Sequence, residues 1–311
     1  MIVVFGSINM DLFFNPERAP EAGETVLMKG YQTFPGGKGA NQAVAAARMG
    51  SETHFAGCVG RDGFSAELIA VLRDHNVGVD NLQQVETPTG TAVVIVDSTG
   101  ENRILVASGA NRDVHTGQIP DSCLVPGNTL LMQMEIDPSQ IKEMVCRAQG
   151  RVDRVILNLA PALPVDGETL DHVDILIMNE VEIVQLAEHL GVLDAPEYEA
   201  DALASTLSQR YELTCVVTLG ADGAIAFSPD GMLAARVNSL ALDQVIDTTG
   251  AGDAFCGTLA AGLDQGMTLA LAMEFACAAG SLACLKPGAM ASYPTREEVR
   301  ARVPTIPALA A

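Results

Sequence analysis

Asp247-Thr248-Thr249-Gly250-Ala251-Gly252-Asp253 is the stretch of this sequence with the clearest capacity for chemistry. It follows the apolar pair Val245-Ile246 and opens a run of small residues predicted to be helical over 251–264. Two glycines let the backbone turn, so that successive amides of Gly250 to Asp253 converge on one point. A helix N-terminus adds about half a unit of positive charge there. Such a hole binds an anion. Asp253 stands inside it, stays ionised, and can take the proton of a hydroxyl that attacks a bound phosphate. The alternative is an ordinary glycine loop with an acid in the first helical turn, where acids are favoured anyway.

A second glycine-rich stretch, Gly36-Gly37-Lys38-Gly39-Ala40-Asn41-Gln42, opens a helix predicted over 38–49. It is not a Walker A loop, because Gln32 stands where the first glycine is needed and Gly39 follows the lysine in place of Ser or Thr. It is not a dinucleotide fingerprint either, because Gln42 replaces the third glycine. Bare backbone here can approach a polar ligand, and Asn41 offers a sugar hydroxyl both a donor and an acceptor. A flexible loop with a solvated lysine is the competing reading. The segment Gly6-Ser7-Ile8-Asn9-Met10-Asp11 ends the first predicted strand, with Asn9 and Asp11 on one face; an Asx turn is the simpler account.

Polar groups recur where apolar runs stop: Glu135 after Leu130–Met134, Asn158 inside Leu157-Asn158-Leu159, Asn179-Glu180-Val181-Glu182 after 175–178, and Thr218-Leu219-Gly220 after 215–218. One such group is a cap. Several at consecutive strand ends describe a ligand crevice, since open parallel sheets bind ligands beyond the carboxyl ends of their strands. The spacing of Asn179 and Glu182 suits metal-bound water, as magnesium keeps much of its hydration shell. Thr218 and Gly220 leave room for a nucleotide phosphate against backbone.

The elements that must position these groups read as strands alternating with helices. Strands are predicted over 2–8, 53–59, 92–97, 103–107, 129–134, 154–159, 175–178, 215–218 and 224–227. Helices are predicted over 38–49, 65–75, 138–149, 180–190, 197–210, 251–264, 269–285 and 296–302. Continuous apolar runs such as Ile2-Val3-Val4-Phe5 fit strands buried on both faces. The expected fold class is α/β, a doubly wound and mostly parallel sheet flanked by helices. Residues 11–33 and 89–108 break the alternation, the second as a hairpin turning at 98–102, and together suggest a small β-sheet beside the main layer. The tail 303–311 reads as frayed.

The chain has 311 residues, 48% of them hydrophobic, so a large core can form. Asp and Glu number 39 against 18 Lys and Arg, a net charge of -21 that argues against nucleic acid or an anionic membrane as partner. Seven scattered cysteines with no C-x-x-C pair suit a reducing compartment. With no basic leader ahead of the apolar Ile2–Phe5 run and no convincing membrane span, the expected location is cytoplasmic. The five histidines show no ligand spacing, and no G-x-S-x-G elbow is present.

The two glycine stretches together resemble the signatures of the ribokinase-like, PfkB-type carbohydrate kinases, and the resemblance runs from Gly6-Ser7-Ile8-Asn9 to Arg296-Glu297-Glu298. It implies an ATP-dependent sugar kinase acting on the 5-hydroxyl of D-ribose. Asp253 would be the base. The amides of Gly250, Ala251 and Gly252 would stabilise the transferring phosphoryl group. Asn9, Asp11, Gly37, Asn41 and Glu135 would bind the sugar, with Lys38 near the acceptor or phosphoryl group. Asn179 and Glu182 would organise magnesium through water. The ATP site would include Asn179, Thr218, Gly220, Gly252 and Cys277. A potassium site would use Asp247 and Thr249 on one side and Ala283, Gly288 and Ser292 on the other, mainly through backbone oxygens.

The resemblance also implies a division of the chain into an α/β body (residues 1–10, 34–88 and 109–311) and a β-sheet lid (11–33 and 89–108) that closes over the sugar and pairs two subunits as a homodimer. Two positions depart from the pattern: Leu159 stands where a proline is expected, and Cys277 where members often carry histidine or asparagine near adenine. The lid sequence leaves the sugar open, so a kinase for fructose, a ketogluconate-type sugar or adenosine is the alternative within the family. A catalytically silent sugar-binding protein and a nucleotide-dependent dehydrogenase are the alternatives outside it.

Overall fold

The computed structural model describes residues 1–18, 20–96, 102–192 and 199–303. In chain order the strands are β1 (Ile2–Phe5), β2 (Asn9–Phe14), β3 (Gln32–Gly36), β4 (Thr53–Gly60), β5 (Val77–Val85), β6 (Gly90–Val96), β7 (Asn102–Ala107), β8 (Thr129–Gln133), β9 (Arg154–Asn158), β10 (Ile175–Asn179), β11 (Thr214–Thr218), β12 (Ala224–Phe227) and β13 (Leu233–Val237). The helices are α1 (Lys38–Arg48), α2 (Ser65–Asp74), α3 (Pro138–Ala148), α4 (Gly167–Leu170), α5 (Glu180–His189), α6 (Ala200–Tyr211), α7 (Ala251–Asp264), α8 (Leu269–Ala283) and α9 (Arg296–Arg300).

A nine-stranded sheet runs β13-β12-β11-β10-β9-β8-β1-β4-β5. It is parallel from β11 to β5, and β12 and β13 add an antiparallel edge. Residues alternate between two cores. Ile2, Val4, Leu131, Ile156, Ile177 and Val216 share one with α1, α2, α7 and α8. Val3, Phe5, Leu130, Met132, Leu157 and Val217 share the other with α3, α5 and α6. Continuous apolar runs are what a sheet covered on both faces requires. The chain leaves β1 towards β4 and β5, then returns to the opposite side at β8. That reversal opens a crevice at the carboxyl ends of β1 and β8.

A four-stranded sheet, β3-β2-β6-β7, stands apart from the first. Its central pair β2–β6 is parallel and the outer pairs are antiparallel. These strands take in Asn9, Met10 and residues 34–36, outside the limits 11–33 drawn from the sequence.

Several expectations need correction. The strand predicted over 2–8 stops at Phe5; Gly6–Ile8 cross to the small sheet, where Asn9 pairs with both Gly36 and Gly90. β5 and β13 were not expected, because each is an edge strand with largely polar or exposed positions. The short α4 was not expected either. The helix predicted over 197–210 is described from Ala200, and its first residues lie outside the described ones, as do most of the turn predicted at 98–102 and nearly all of the 303–311 tail. Among the described residues no helix is long and apolar enough to cross a membrane. All seven cysteines are free thiols.

Candidate active site

The site is assembled where α1 and α7 begin. α7 is entered through its N-cap Gly250, whose φ of 75° lies in the left-handed region. A Cβ there would also sit 2.6 Å from the Tyr293 hydroxyl, so only glycine fits the turn. Asp253 follows in the first turn and is buried, 7% exposed. α7 packs against α1 closely enough that a Cβ on Gly257 would collide with the Gln42 carbonyl. This approach brings two α1 side chains onto the Asp253 carboxylate. Asn41 Nδ2 donates to Oδ2 at 3.0 Å, and Gln42 Nε2 donates to Oδ1 at 2.9 Å. Two amide donors, one on each oxygen, hold the carboxylate in one plane.

Of the amides expected to converge on the anion, that of Ala251 donates to the Thr248 carbonyl at 3.2 Å. The N–H groups of Gly250, Gly252 and Asp253 have no partner among the described residues. They are the orphan donors a helix start presents to an anion.

On the other side of Asp253 the chain gathers the residues expected to meet a sugar. Glu135 Oε2 accepts from the Ser7 hydroxyl at 2.6 Å and from the Lys38 N–H at 3.0 Å. Asn9 is buried, and its Oδ1 accepts from Asn111 Nδ2 at 2.7 Å. Gly37 is the residue before α1, with φ 88°. Asn41 Oδ1 is a buried acceptor with no partner among the described residues. Burial pushes the Asp11 carboxyl up to about 7, and the charges of Glu135 and Asp253 add to that shift. The Lys38 ammonium is raised chiefly by Asp253, against its burial, with Glu135 and Glu182 contributing.

Two cavities adjoin the start of α7. The smaller, about 240 Å³, is lined by Lys38, Asn179, Glu182, Gly250, Gly252 and Asp253. The larger, about 550 Å³, reaches Gly220 and Cys277. Both share Thr218, Thr248 and Gly252 as a common wall. Burial pushes the Cys277 thiol up to about 12, so it lines the larger cavity as a neutral group. Asn179 and Glu182 form a reciprocal cap on α5: Asn179 Oδ1 accepts from the Val181 and Glu182 amides, and Glu182 Oε2 accepts from the Asn179 N–H at 2.8 Å. Burial raises the Glu182 carboxyl, outweighing that hydrogen bond and the nearby Lys38.

The residues read as a cation site are only partly brought together. Asp247 Oδ1 accepts from the Thr249 N–H at 2.9 Å and Oδ2 from the Gly288 N–H at 2.8 Å. Burial opposes the Asp247 charge, but these hydrogen bonds prevail and hold its carboxyl below the ordinary range. Ala283 ends α8 beside Cys284, whose carbonyl accepts the Ile246 N–H. Ser292 gives its hydroxyl to the Ala289 carbonyl, and no described hydrogen bond ties it or Ala283 to Asp247.

Sequence reasoning passed over Ser7, Asn111, Gln133 and Tyr293, and used Gln42 only to exclude a fingerprint. The signal for two of them was available. Gln133 interrupts an apolar strand and Gln42 an alanine-rich helix, and a polar side chain in such a place must find a partner. Ser7 and Asn111 serve backbone turns that only the fold reveals.

This arrangement has close relatives. A model of the pfkB family carbohydrate kinases matches residues 1–296. The ribokinase of Schizosaccharomyces pombe is 36% identical over 310 residues, covering 96% of each chain. The ribokinase structure from Thermotoga maritima aligns with a TM-score of 0.87 at 31% identity, over 96% of this chain and 98% of that one. Arabidopsis thaliana ribokinase, solved with ribose and ATP, aligns with a TM-score of 0.86 at 32% identity, over 98% and 99%. With its glycine-started α7, its buried aspartate and a match spanning nearly the whole sequence, the chain belongs to the pfkB family of carbohydrate kinases.

Proposed function

We infer that the chain transfers the γ-phosphoryl group of ATP to the 5-hydroxyl of D-ribose. The observation that carries this reading is the buried Asp253 carboxylate, held by two amide donors in the first turn of α7, in a chain whose relatives are ribokinases. Asp253 takes the proton of the 5-hydroxyl as the sugar oxygen bonds to the γ-phosphorus. The bond from that phosphorus to the bridging oxygen breaks, and ADP leaves with the electron pair. The free N–H groups of Gly250 and Gly252 meet the charge on the transferring group; the Ala251 N–H must share its turn with Thr248 to join them. Lys38, in the same cavity, adds a positive charge.

Asn9, Asp11, Gly37, Asn41 and Glu135 hold the sugar, and the unpartnered Asn41 Oδ1 accepts from one of its hydroxyls. ATP occupies the larger cavity along Thr218, Gly220 and Cys277, with its phosphates toward Asn179 and Gly252. Asn179 and Glu182 fit a hydrated magnesium ion. Glu182 Oε1 is uncommitted among the described residues, and a carboxylate raised by burial near Asp253 gains from a cation. When bound, magnesium neutralises phosphate charge. The ionised Asp247 fits potassium, with Thr249, Ala283, Gly288 and Ser292 supplying backbone oxygens. The small sheet closes over the sugar and excludes water, a competing acceptor. Leu105 and Val106, exposed on opposite faces of its edge strand β7, offer an apolar edge for a second copy of the chain.

The test is ADP release from ATP and magnesium with ribose, deoxyribose, fructose, ketogluconate-type sugars and nucleosides, each in potassium and in sodium. Ribose-selective release supports the reading, and potassium stimulation supports the Asp247 site. Selective release on another acceptor replaces ribose and keeps the mechanism. Silence on all of them overturns the reading.

A further inference from the structure

Gln42 is fully buried in α1 and sits at the centre of a line of side-chain amides. The direction of each amide follows from one fixed point. The Ile177 carbonyl in β10 can only accept, so Asn158 turns Nδ2 to it at 3.2 Å and presents Oδ1 to Gln42. Oδ1 also only accepts, so Gln42 must present Nε2, at 2.9 Å. The same Nε2 donates to Asp253 Oδ1 at 2.9 Å. That leaves Gln42 Oε1 facing away from the site, where Gln133 Nε2 donates to it at 2.7 Å. A flipped Gln42 amide would set its oxygen against two acceptors, and its nitrogen against a donor. All four side chains are buried, so water offers no ready substitute.

We propose that Gln42 is a positioning residue for phosphoryl transfer, its amide fixed in polarity by Asn158 and held at its other end by Gln133, so that it always offers Asp253 a donor. The proposal rests on the reading of Asp253 as base and adds what holds that base in place. Asn41, by contrast, has an unpartnered oxygen left for the sugar. Gln42 has no free polar atom and acts only through Asp253, so its loss falls on kcat and spares the KM for sugar.

The titratable groups facing Asp253 come from several elements: Lys38 on α1, Asp11 on β2, Glu182 on α5, and the buried thiol of Cys256 on α7 itself and phenol of Tyr293 beyond α8, both pushed up by burial and neutral. None of them is altered by the substitutions that follow. Gln42→Met keeps the length of the side chain and removes the donor. Its kcat falls by about tenfold to a hundredfold, the worth of a hydrogen bond to a charged group, while the KM for ribose and for ATP each stay within about threefold. Gln42→Glu supplies a second readout. The introduced carboxyl donates only while protonated, so relative to the native enzyme its kcat recovers as the pH falls from about 8 to about 6. Gln133→Leu, which releases the amide two bonds from the base, lowers kcat less and leaves both KM values unchanged.

Thermal melts at each pH separate loss of folding from loss of chemistry, and Gln133→Leu carries the test if the Gln42 variants do not fold. A kcat within about twofold of native in Gln133→Leu, or a Gln42→Glu pH profile parallel to the native one, overturns the proposal. Asp253→Asn is measured alongside. If that variant turns over normally, the base assignment itself is wrong. If it is inactive while the Gln42 and Gln133 variants match native, only the positioning role fails.

Discussion

The large and small sheets reach the same site from opposite sides and are built to different standards. At the strand ends of the large sheet, Gln133 and Asn158 are enclosed and tied through Gln42 to Asp253. The small sheet sends Asn9 and Asp11 from a strand whose residues beyond Asp11 are only half-buried. Its β7 leaves Leu105 69% and Val106 57% exposed. The carboxylates differ accordingly. Asp253 accepts two amide donors, whereas the Asp11 side chain makes no hydrogen bond among the described residues and is pushed up to about 7, by burial first and then by its acidic neighbours. On the function proposed above, chemistry falls to the layer covered on both faces, and recognition and coverage to the layer with less packed against it.

The largest expected effect falls on the rigid side. Asp253→Asn removes the base and lowers turnover by about 10²- to 10⁴-fold with ATP binding nearly intact, as steady-state kinetics and nucleotide titration would show. Ordinary turnover in that variant would erase the distinction between the two sheets. Next comes Gly250→Ala, which forces a side chain into φ 75° and against the Tyr293 hydroxyl. It should cost about 1–3 kcal/mol in chemical denaturation and lower turnover as the helix start shifts.

On the softer side the effect is one of pH. Between the ordinary 3.8 and about 7, the folded chain keeps on Asp11 a proton that the unfolded chain has released. Stability therefore falls as pH rises through that window. Asp11→Asn should flatten this slope in melting temperature against pH; an unchanged slope would place the burden elsewhere. The smallest effect is expected at the outer edge of the small sheet. Leu105→Lys with Val106→Lys should weaken self-association in sedimentation and leave turnover per chain within about twofold, as for other surface changes. Turnover lost together with association would show that the small sheet shapes the chemistry as well as covering it.

Most of the large sheet was legible because strands covered on both faces must be apolar throughout, and Ile2–Phe5 or Leu130–Met132 can hardly be anything else. β5 and β13 escaped because an edge strand meets no such demand: Val77–Val85 mixes Asp80, Asn81, Gln83 and Gln84 with its apolar positions. The α7 hole was legible from two glycines and an aspartate at close spacing. Its support was not. The contacts of Asn41 and Gln42 with Asp253 span 212 and 211 residues, a relation no local pattern encodes. Asn9 and Asp11 share one face whichever sheet their strand joins, since the alternation of side chains holds in either.

Those long separations have a consequence for how the protein comes into being. Neither half of the site exists until the first forty or so residues meet a helix that starts at Ala251. The loop that must close is among the longest the chain can form, and such contacts are slow to establish. A chain emerging from the ribosome, or one caught partly folded, carries Asp253 without its amide donors and the glycine turn without Tyr293 beneath it. It has no formed centre with which to waste ATP on water. The capacity for phosphoryl transfer thus arrives with the last long-range contacts, and recovery of activity marks the end of refolding.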